Sequence, residues 1–324
     1  MMTKRSVLRT MIAGCSAMAS LDPANAQSYP NRAVRFIVAF PAGGSTDVGA
    51  RVIAEYLSRV FGQQFYVENK SGATGSIGTE AAAKSPPDGY TILIAPDSVV
   101  SYPHVFKINI DVLKDLVPVI QLSLQPIVLA VHHSLGVNSL AEFVALAKQR
   151  PGMSYASGAG AGSPQHMVAQ WFAQIAGIKL EHVPYRGGAQ AINDLVAGHI
   201  KIGSLGSSPL IPHYKAGTLR LLAQTTEARS PSLPEVPTYQ EAGIKGLVLD
   251  QWLGVFVPTG TPPAIIGRLN TEMNKALADP GIRDNFLQAA QETVGGTSEQ
   301  FSRLVHEDYD KLGRLVNELN IKVN

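Results

Sequence analysis

One pattern constrains this chain more than any other: a short apolar, β-branched run, a turn built from glycines, then an amphipathic segment at helical period. Val34 to Phe40 runs into Pro41-Ala42-Gly43-Gly44, and apolar residues then recur at helical spacing from Val48 to Phe61. The same order returns where Met153 to Ala156 meets Ser157-Gly158-Ala159-Gly160-Ala161-Gly162-Ser163, with a helical stretch from Pro164 to Ile175 behind it. A strand reaches a parallel neighbour only through a long crossover, and a helix fills that crossover. Alternation at this spacing therefore implies an α/β fold of βαβ units, a mostly parallel sheet with helices on both faces.

Further strands are expected at Gln64 to Glu68, Tyr90 to Ala95, Gln125 to His132, Leu180 to Pro184, Leu219 to Gln224 and Trp252 to Val257. Further helices are expected at Thr79 to Lys84, Ser139 to Gln149, Ala189 to Ala197, Pro262 to Ala278 and Phe301 to Leu319. At 324 residues with 45% hydrophobic side chains, the chain is long enough for two domains with a substantial core. No window of about 18 uncharged apolar residues occurs, which argues against a membrane-spanning helix.

The first residues carry an export signature. Lys4, Arg5 and Arg9 form a basic start, Thr10 to Leu21 are mostly small or apolar, and Ala24-Asn25-Ala26 supplies small residues for cleavage after Ala26. Lys4 in the first position of a twin-arginine pair leaves the export route open. Ile12-Ala13-Gly14-Cys15 resembles a lipid-attachment site, but the apolar stretch before it is very short. Cys15 is the single cysteine, so an exported chain has none, and disulfides, thiol catalysis and Cys-ligated metals fall away together. The segment also holds Lys4, Arg5, Arg9 and Asp22 out of 27 basic and 25 acidic residues, so the remainder balances to zero formal charge. That balance gives no electrostatic reason to expect nucleic acid or an anionic membrane as partner.

The two glycine turns carry the candidate chemistry. At the carboxyl edge of a parallel sheet, a helix start offers unpaired amides and the positive end of the helix dipole, which together attract a carboxylate. Ser45, Thr46 and Asp47 stand where an N-cap belongs. On separate lobes, Ala42, Gly43, Gly44, Ser45, Thr46 and Asp47 would grip a small anion against Ser157, Gly158, Gly160, Gly162 and Ser163. The alternative is that both turns are simply tight connections. His166, about one turn into the second helix, either faces the cleft or packs within its helix. Neither turn has the spacing of a nucleotide motif, and adjacent His132 and His133 on a strand face opposite ways and cannot share a metal. With no G-x-S-x-G and no paired carboxylates at the turns, neither catalytic residues nor a cofactor or metal site is expected.

Both turns belong to a longer series of ordered blocks. Tyr29-Pro30, Phe40 to Asp47, Val67-Glu68-Asn69-Lys70, Pro87-Asp88-Gly89-Tyr90-Thr91, His182-Val183-Pro184-Tyr185-Arg186-Gly187, Leu233 to Thr238 and Pro258-Thr259-Gly260-Thr261-Pro262 are among them. Together they resemble the tripartite tricarboxylate transporter substrate-binding family, also called the Bug family, over nearly all of the exported length. The resemblance implies a two-lobed periplasmic binding protein fold of type II with the cleft between lobes. It implies a signal peptide at 1–26, a first lobe of 27–123 plus 252–324, and a second lobe of 124–251, the chain crossing near Gln121 to Pro126 and Leu249 to Gly254. It further implies a small carboxylate held through waters and the backbone of the two turns, no cofactor, a membrane permease pair as partner, a monomer, and a periplasmic location.

One departure from the resemblance is informative. The family commonly has Phe-Asp-Asn after the strand matching Ile200 to Ile202, whereas this chain reads Ser204-Leu205-Gly206. Leucine in place of that carboxylate removes the affinity for an ammonium group, so the expected ligand is an aromatic or aliphatic dicarboxylate with an apolar body; the resemblance puts terephthalate first, and hydroxy- and tricarboxylates stay open. Two other readings stay open: a secreted α/β hydrolase or isomerase acting through cleft serines, and a co-sensor that presents its ligand to a membrane receptor.

Overall fold

The computed structural model describes residues 29–321, so the expected signal segment, its cleavage point at Ala26 and Cys15 lie outside the described residues. The strands are β1 Val34–Val38, β2 Phe65–Asn69, β3 Thr91–Pro96, β4 Leu116–His132, β5 Met153–Ser157, β6 Leu180–Pro184, β7 Ile202–Gly206, β8 Leu219–Gln224, β9 Asp250–Pro258 and β10 Glu292–Thr293. The helices are α1 Ser45–Phe61, α2 Ser76–Ala83, α3 Ser98–Ser101, α4 Val112–Asp115, α5 Leu140–Gln149, α6 Pro164–Ala176, α7 Gly188–Val196, α8 Ile211–Lys215, α9 Pro263–Ala278, α10 Pro280–Gln288 and α11 Ser298–Glu318.

Hydrogen bonding orders the strands β2-β1-β3-β9-β4-β7-β5-β6, with β8 and β10 pairing with β4 off that path. β1 pairs in parallel with β2 and β3, and β5 in parallel with β6 and β7. Between these trios run β9 and β4, antiparallel to each other and to their neighbours. Each half thus keeps the expected parallel strands, and the sheet as a whole is mixed, for a simple reason. The chain leaves the first half along β4 and returns along β9, and two segments crossing in opposite senses must be antiparallel.

β4 changes partners along its length, pairing with β9 as far as Pro126 and with β7 from Ile127. It starts at Leu116, well before the expected Gln125. Pro118 and Pro126 interrupt the strand pattern, and register shifts at Pro118/Ile120 and Gln121/Ser123 break the alternation by which a strand is recognised.

Helical spacing accounts for how the layers close. α1 buries Ala50, Ile53, Ala54 and Leu57 on one face and stops at Gly62, which takes a φ of 66° and donates its N–H to Ser58 O. That face packs with Phe36, Val255 and Leu269 in the first half, while Val128, Ile192, Leu195 and Leu219 form a second cluster. A third runs through both halves, joining Ile37 and Leu93 to Leu129, Phe172, Trp252 and Phe301. Each fully buried Leu or Phe contributes about 1.5–3 kcal/mol, so these clusters hold the fold. The ring of Trp252 is also tied by its Nε1–H to Asp308 Oδ2 of α11 at 2.6 Å.

Candidate functional site

A cleft opens where the carboxyl ends of β1, β5 and β7 meet the crossing strand β9, enclosing about 460 Å³ of space including its mouth. The β1–α1 turn contributes Phe40, Pro41, Gly44, Ser45 and Thr46, and the opposite side contributes Gly158, Ala159, Gly188 and Ile192. Leu205, Gly206, Gln165 and Gln251 complete the floor beside Pro96 and Pro209, and among the described residues no charged side chain lines the wall.

The start of α1 differs from the expected cap. Gly43 takes a φ of +87°, which glycine adopts without strain, and Gly44 is then the extended N-cap at φ −82° and ψ 169°. This sharp turn starts the helix at Ser45, ahead of Val48, so Ser45, Thr46 and Asp47 lie inside it and none is the N-cap. No side chain caps the helix, and its first amides are left to the cleft beside the Ser45 and Thr46 hydroxyls. Asp47 works from behind: its carboxylate accepts from the Gly43 N–H at 3.0 Å, Arg51 Nε at 2.9 Å and Asn69 Nδ2 at 2.9 Å. Burial alone would raise the Asp47 carboxyl, but these three bonds outweigh it and hold the group below its ordinary value. Ala42, Gly43 and Asp47 therefore shape the turn without lining the cleft.

The second turn spends most of its amides internally. The Gly158 N–H donates to Gln165 Oε1 at 2.8 Å and the Gly162 N–H to His166 Nδ1 at 3.0 Å. Ser163 caps α6, its Oγ accepting the His166 N–H at 3.4 Å and donating to Gly160 O at 2.7 Å. Ser157 Oγ donates to Gly160 O at 3.2 Å and meets His182 Nε2 at 2.7 Å. His166 does not face the cleft; it stacks on His182 with ring centres 3.9 Å apart and planes 8° from parallel. Burial pushes the His166 imidazole down to about 4; burial and then the charge of His166 push His182 to about 3. Both rings are neutral at physiological pH, which leaves His166 Nδ1 able to accept. Ser204 is likewise buried, its Oγ donating to Gln165 O at 2.7 Å.

Of the residues expected to meet a ligand, the wall holds Gly44, Ser45, Thr46, Gly158 and Leu205. Ser157, Gly160, Gly162, Ser163, His166 and Ser204 form the scaffold behind Gly158 instead. Sequence reasoning missed the start of α7. Gly187 is its extended N-cap at φ −168° and ψ 156°, again with no side-chain cap, and Gly188 lines the cleft. The paired glycines after β6, with no Ser, Thr or Asp among them, were the available signal. A methyl on Gly158 would come within 2.5 Å of Gly188 Cα, so only glycine lets the two loops abut.

Residues 49–321 match the model of the tripartite tricarboxylate transporter family receptor, TctC. The chain belongs to this receptor family. Protein BugT of Bordetella pertussis is 36% identical to the receptor over 305 residues, covering 93% of each chain. An R. palustris protein solved with adipate is 32% identical with a TM-score of 0.88, covering 91% of this chain and 99% of its own. MatC from Rhodopseudomonas palustris with bound malate is 26% identical with a TM-score of 0.82, covering 89% of this chain and 100% of its own. The receptor therefore shares the α/β fold of periplasmic binding proteins. The family is one of solute-binding transport receptors rather than enzymes, which removes the hydrolase or isomerase reading.

Proposed function

We propose that this receptor captures a small dicarboxylate with an apolar body in the cleft and delivers it, from the periplasm, to the permease subunits of a tripartite tricarboxylate transporter. One observation carries the reading: α1 and α7, both without side-chain caps, start at the wall of one cleft that holds no charged side chain. Two positive helix ends without an ammonium or guanidinium partner favour an anion with delocalised charge, held by amides, hydroxyls and water. Between them, Phe40, Ile192 and Leu205 offer apolar surface to the body of the ligand. Relatives solved with adipate and malate lend support, since both ligands are dicarboxylates.

On this reading residues 1–26 are a cleaved signal peptide, 27–123 with 252–324 form the first lobe and 124–251 the second. The chain works as a monomer whose lobes hinge at β4 and β9. Terephthalate, with its flat apolar ring, is the leading ligand. Calorimetry against terephthalate, adipate, malate, glutamate and a monocarboxylate tests this. Tight binding is expected for the apolar dicarboxylates, and binding of glutamate with none of the dicarboxylates overturns the proposal.

A further inference from the structure

At the cleft floor, three glutamines from three elements converge on one another. On α6, Gln165 accepts the Gly158 N–H through Oε1 at 2.8 Å, and on β4, Gln125 accepts the Ser208 N–H through Oε1 at 3.2 Å. Both then donate from Nε2 to the same atom, Gln251 Oε1 of β9, at 3.4 Å from Gln165 and 3.0 Å from Gln125. Gln251 Nε2 donates in turn to Asp97 Oδ1 at 3.4 Å. All four side chains are buried. A backbone N–H can only donate, so the two backbone groups fix the sense of every amide in the chain. Flipping any one of them would set donor against donor or acceptor against acceptor. Gln251 has only an N–H to offer Asp97.

We propose that Gln251 is the positioning residue of a relay, Gly158–Gln165–Gln251–Asp97, that spans the two lobes and holds the cleft closed on its ligand. The inference rests on the reading of the cleft as a carboxylate site. Gln125 and Gln251 both sit on the crossing strands, so their 3.0 Å bond survives a hinge motion. Gln165 lies in one half and Asp97, directly after β3, in the other; among the described residues Gln251 joins them, by the two longer bonds of 3.4 Å. Those are the bonds an opening hinge gives up first. Gly206 makes room for the arrangement: a methyl there would stand 2.7 Å from Gln251 Oε1 and 2.9 Å from Gln125 Nε2.

The test is the spacing of the lobes, read as the distance between spin labels at Glu55→Cys and Lys148→Cys in the exported chain, with and without adipate. Gln251→Met keeps the length of the side chain and removes both polar ends. It is expected to lower the closed population, and the adipate affinity with it, on the order of tenfold. Asp97→Leu should do the same, whereas Asp97→Asn keeps an acceptor oxygen and should close as the wild type does. Gly206→Ala, which displaces the relay while keeping every polar atom, gives an independent reading if Gln251→Met does not fold. Gln251→Met or Gly206→Ala closing like the wild type overturns the relay, as does Asp97→Asn opening as far as Asp97→Leu. Calorimetry on the same wild-type sample keeps the two ideas apart. A wild type that binds none of the acids removes the functional reading, while the lobe spacing of the ligand-free variants still decides the relay.

Discussion

Leu205 sits in β7 almost wholly out of water, 1% exposed, with its side chain at the cleft wall. A carboxylate in that place would either lose its charge to desolvation or repel the carboxylate of the ligand, and both outcomes oppose a dicarboxylate. Leu205→Asp is expected to weaken terephthalate or adipate binding at least tenfold and to let an amino acid bind, with calorimetry as the check; unchanged dicarboxylate affinity would contradict the role given to Leu205. The stacked His166 and His182 make a second prediction at this scale. An unfolded histidine titrates near 6.5, whereas folding moves these to about 4 and about 3. Between about pH 6.5 and pH 4 the unfolded chain binds protons that the folded chain refuses, so their contribution is full above that window and lost as pH falls through it. Asp250 runs the other way, since burial lifts its carboxyl to about 6 and its contribution is lost as pH rises from about 4 to 6. A difference experiment isolates the imidazoles. His166→Asn puts an oxygen near the Nδ1 position and His182→Gln an amide N–H near Nε2, so the double variant keeps the bonds to Gly162 and Ser157 without titrating. In urea unfolding the wild type should lose about 2 kcal/mol more than this variant between pH 7.5 and pH 5, half the dry value because His182 is only partly buried.

The helix starts define what the elements do. Gly44 has an extended φ that any residue adopts, and its nearest contact for a methyl is Pro41 O at 4.0 Å, so a side chain fits. Gly44→Asp would cap α1 and stabilise it by roughly a few tenths of a kcal/mol while placing a negative charge where the ligand needs a positive end. The melting temperature should rise and dicarboxylate affinity fall at least tenfold, with Gly44→Asn, which caps without charge, losing much less. Equal losses for Asn and Asp would mean that space, and not the helix end, governs binding. This element-level logic also marks what the sequence made legible. β1, the turn and α1 could be read because an apolar run, glycines and helical periodicity stand side by side. The start of α7 escaped because a search for Ser, Thr and Asp caps looks past a helix whose relevant feature is the lack of one. The 157–163 turn was assigned free amides that Gln165 and His166 in fact take up, since no spacing rule says where a side chain one turn ahead will fold back. The first part of β4 was hidden by Pro118 and by bulges that erase its alternation.

At the scale of the whole molecule, the two halves touch through glycines. A methyl on Gly187, ahead of α7, would come 2.8 Å from Pro41 Cδ of the β1–α1 turn, and one on Gly160 would come 2.8 Å from Thr74 Cγ2. Pro41 is a rigid ring in a tight turn and cannot swing aside as a long side chain would, so the strain at Gly187 has to be relieved by moving one half away from the other. Gly187 lies in extended backbone, where alanine is not strained in itself. The substitution should therefore leave the ligand-free protein as stable as before and act only on the arrangement in which the halves meet. A gap of half an ångström or more at this seam also forfeits part of the contact between the two loops that start α1 and α7. Gly187→Ala is expected to raise the dissociation rate of adipate about tenfold, with little change in the association rate, because the encounter precedes closure and the seam forms after it. Stopped-flow kinetics separates the two rates. A variant that loses affinity through slower association, or that melts several degrees lower without ligand, would show that Gly187 serves the local fold of α7 and not the meeting of the halves.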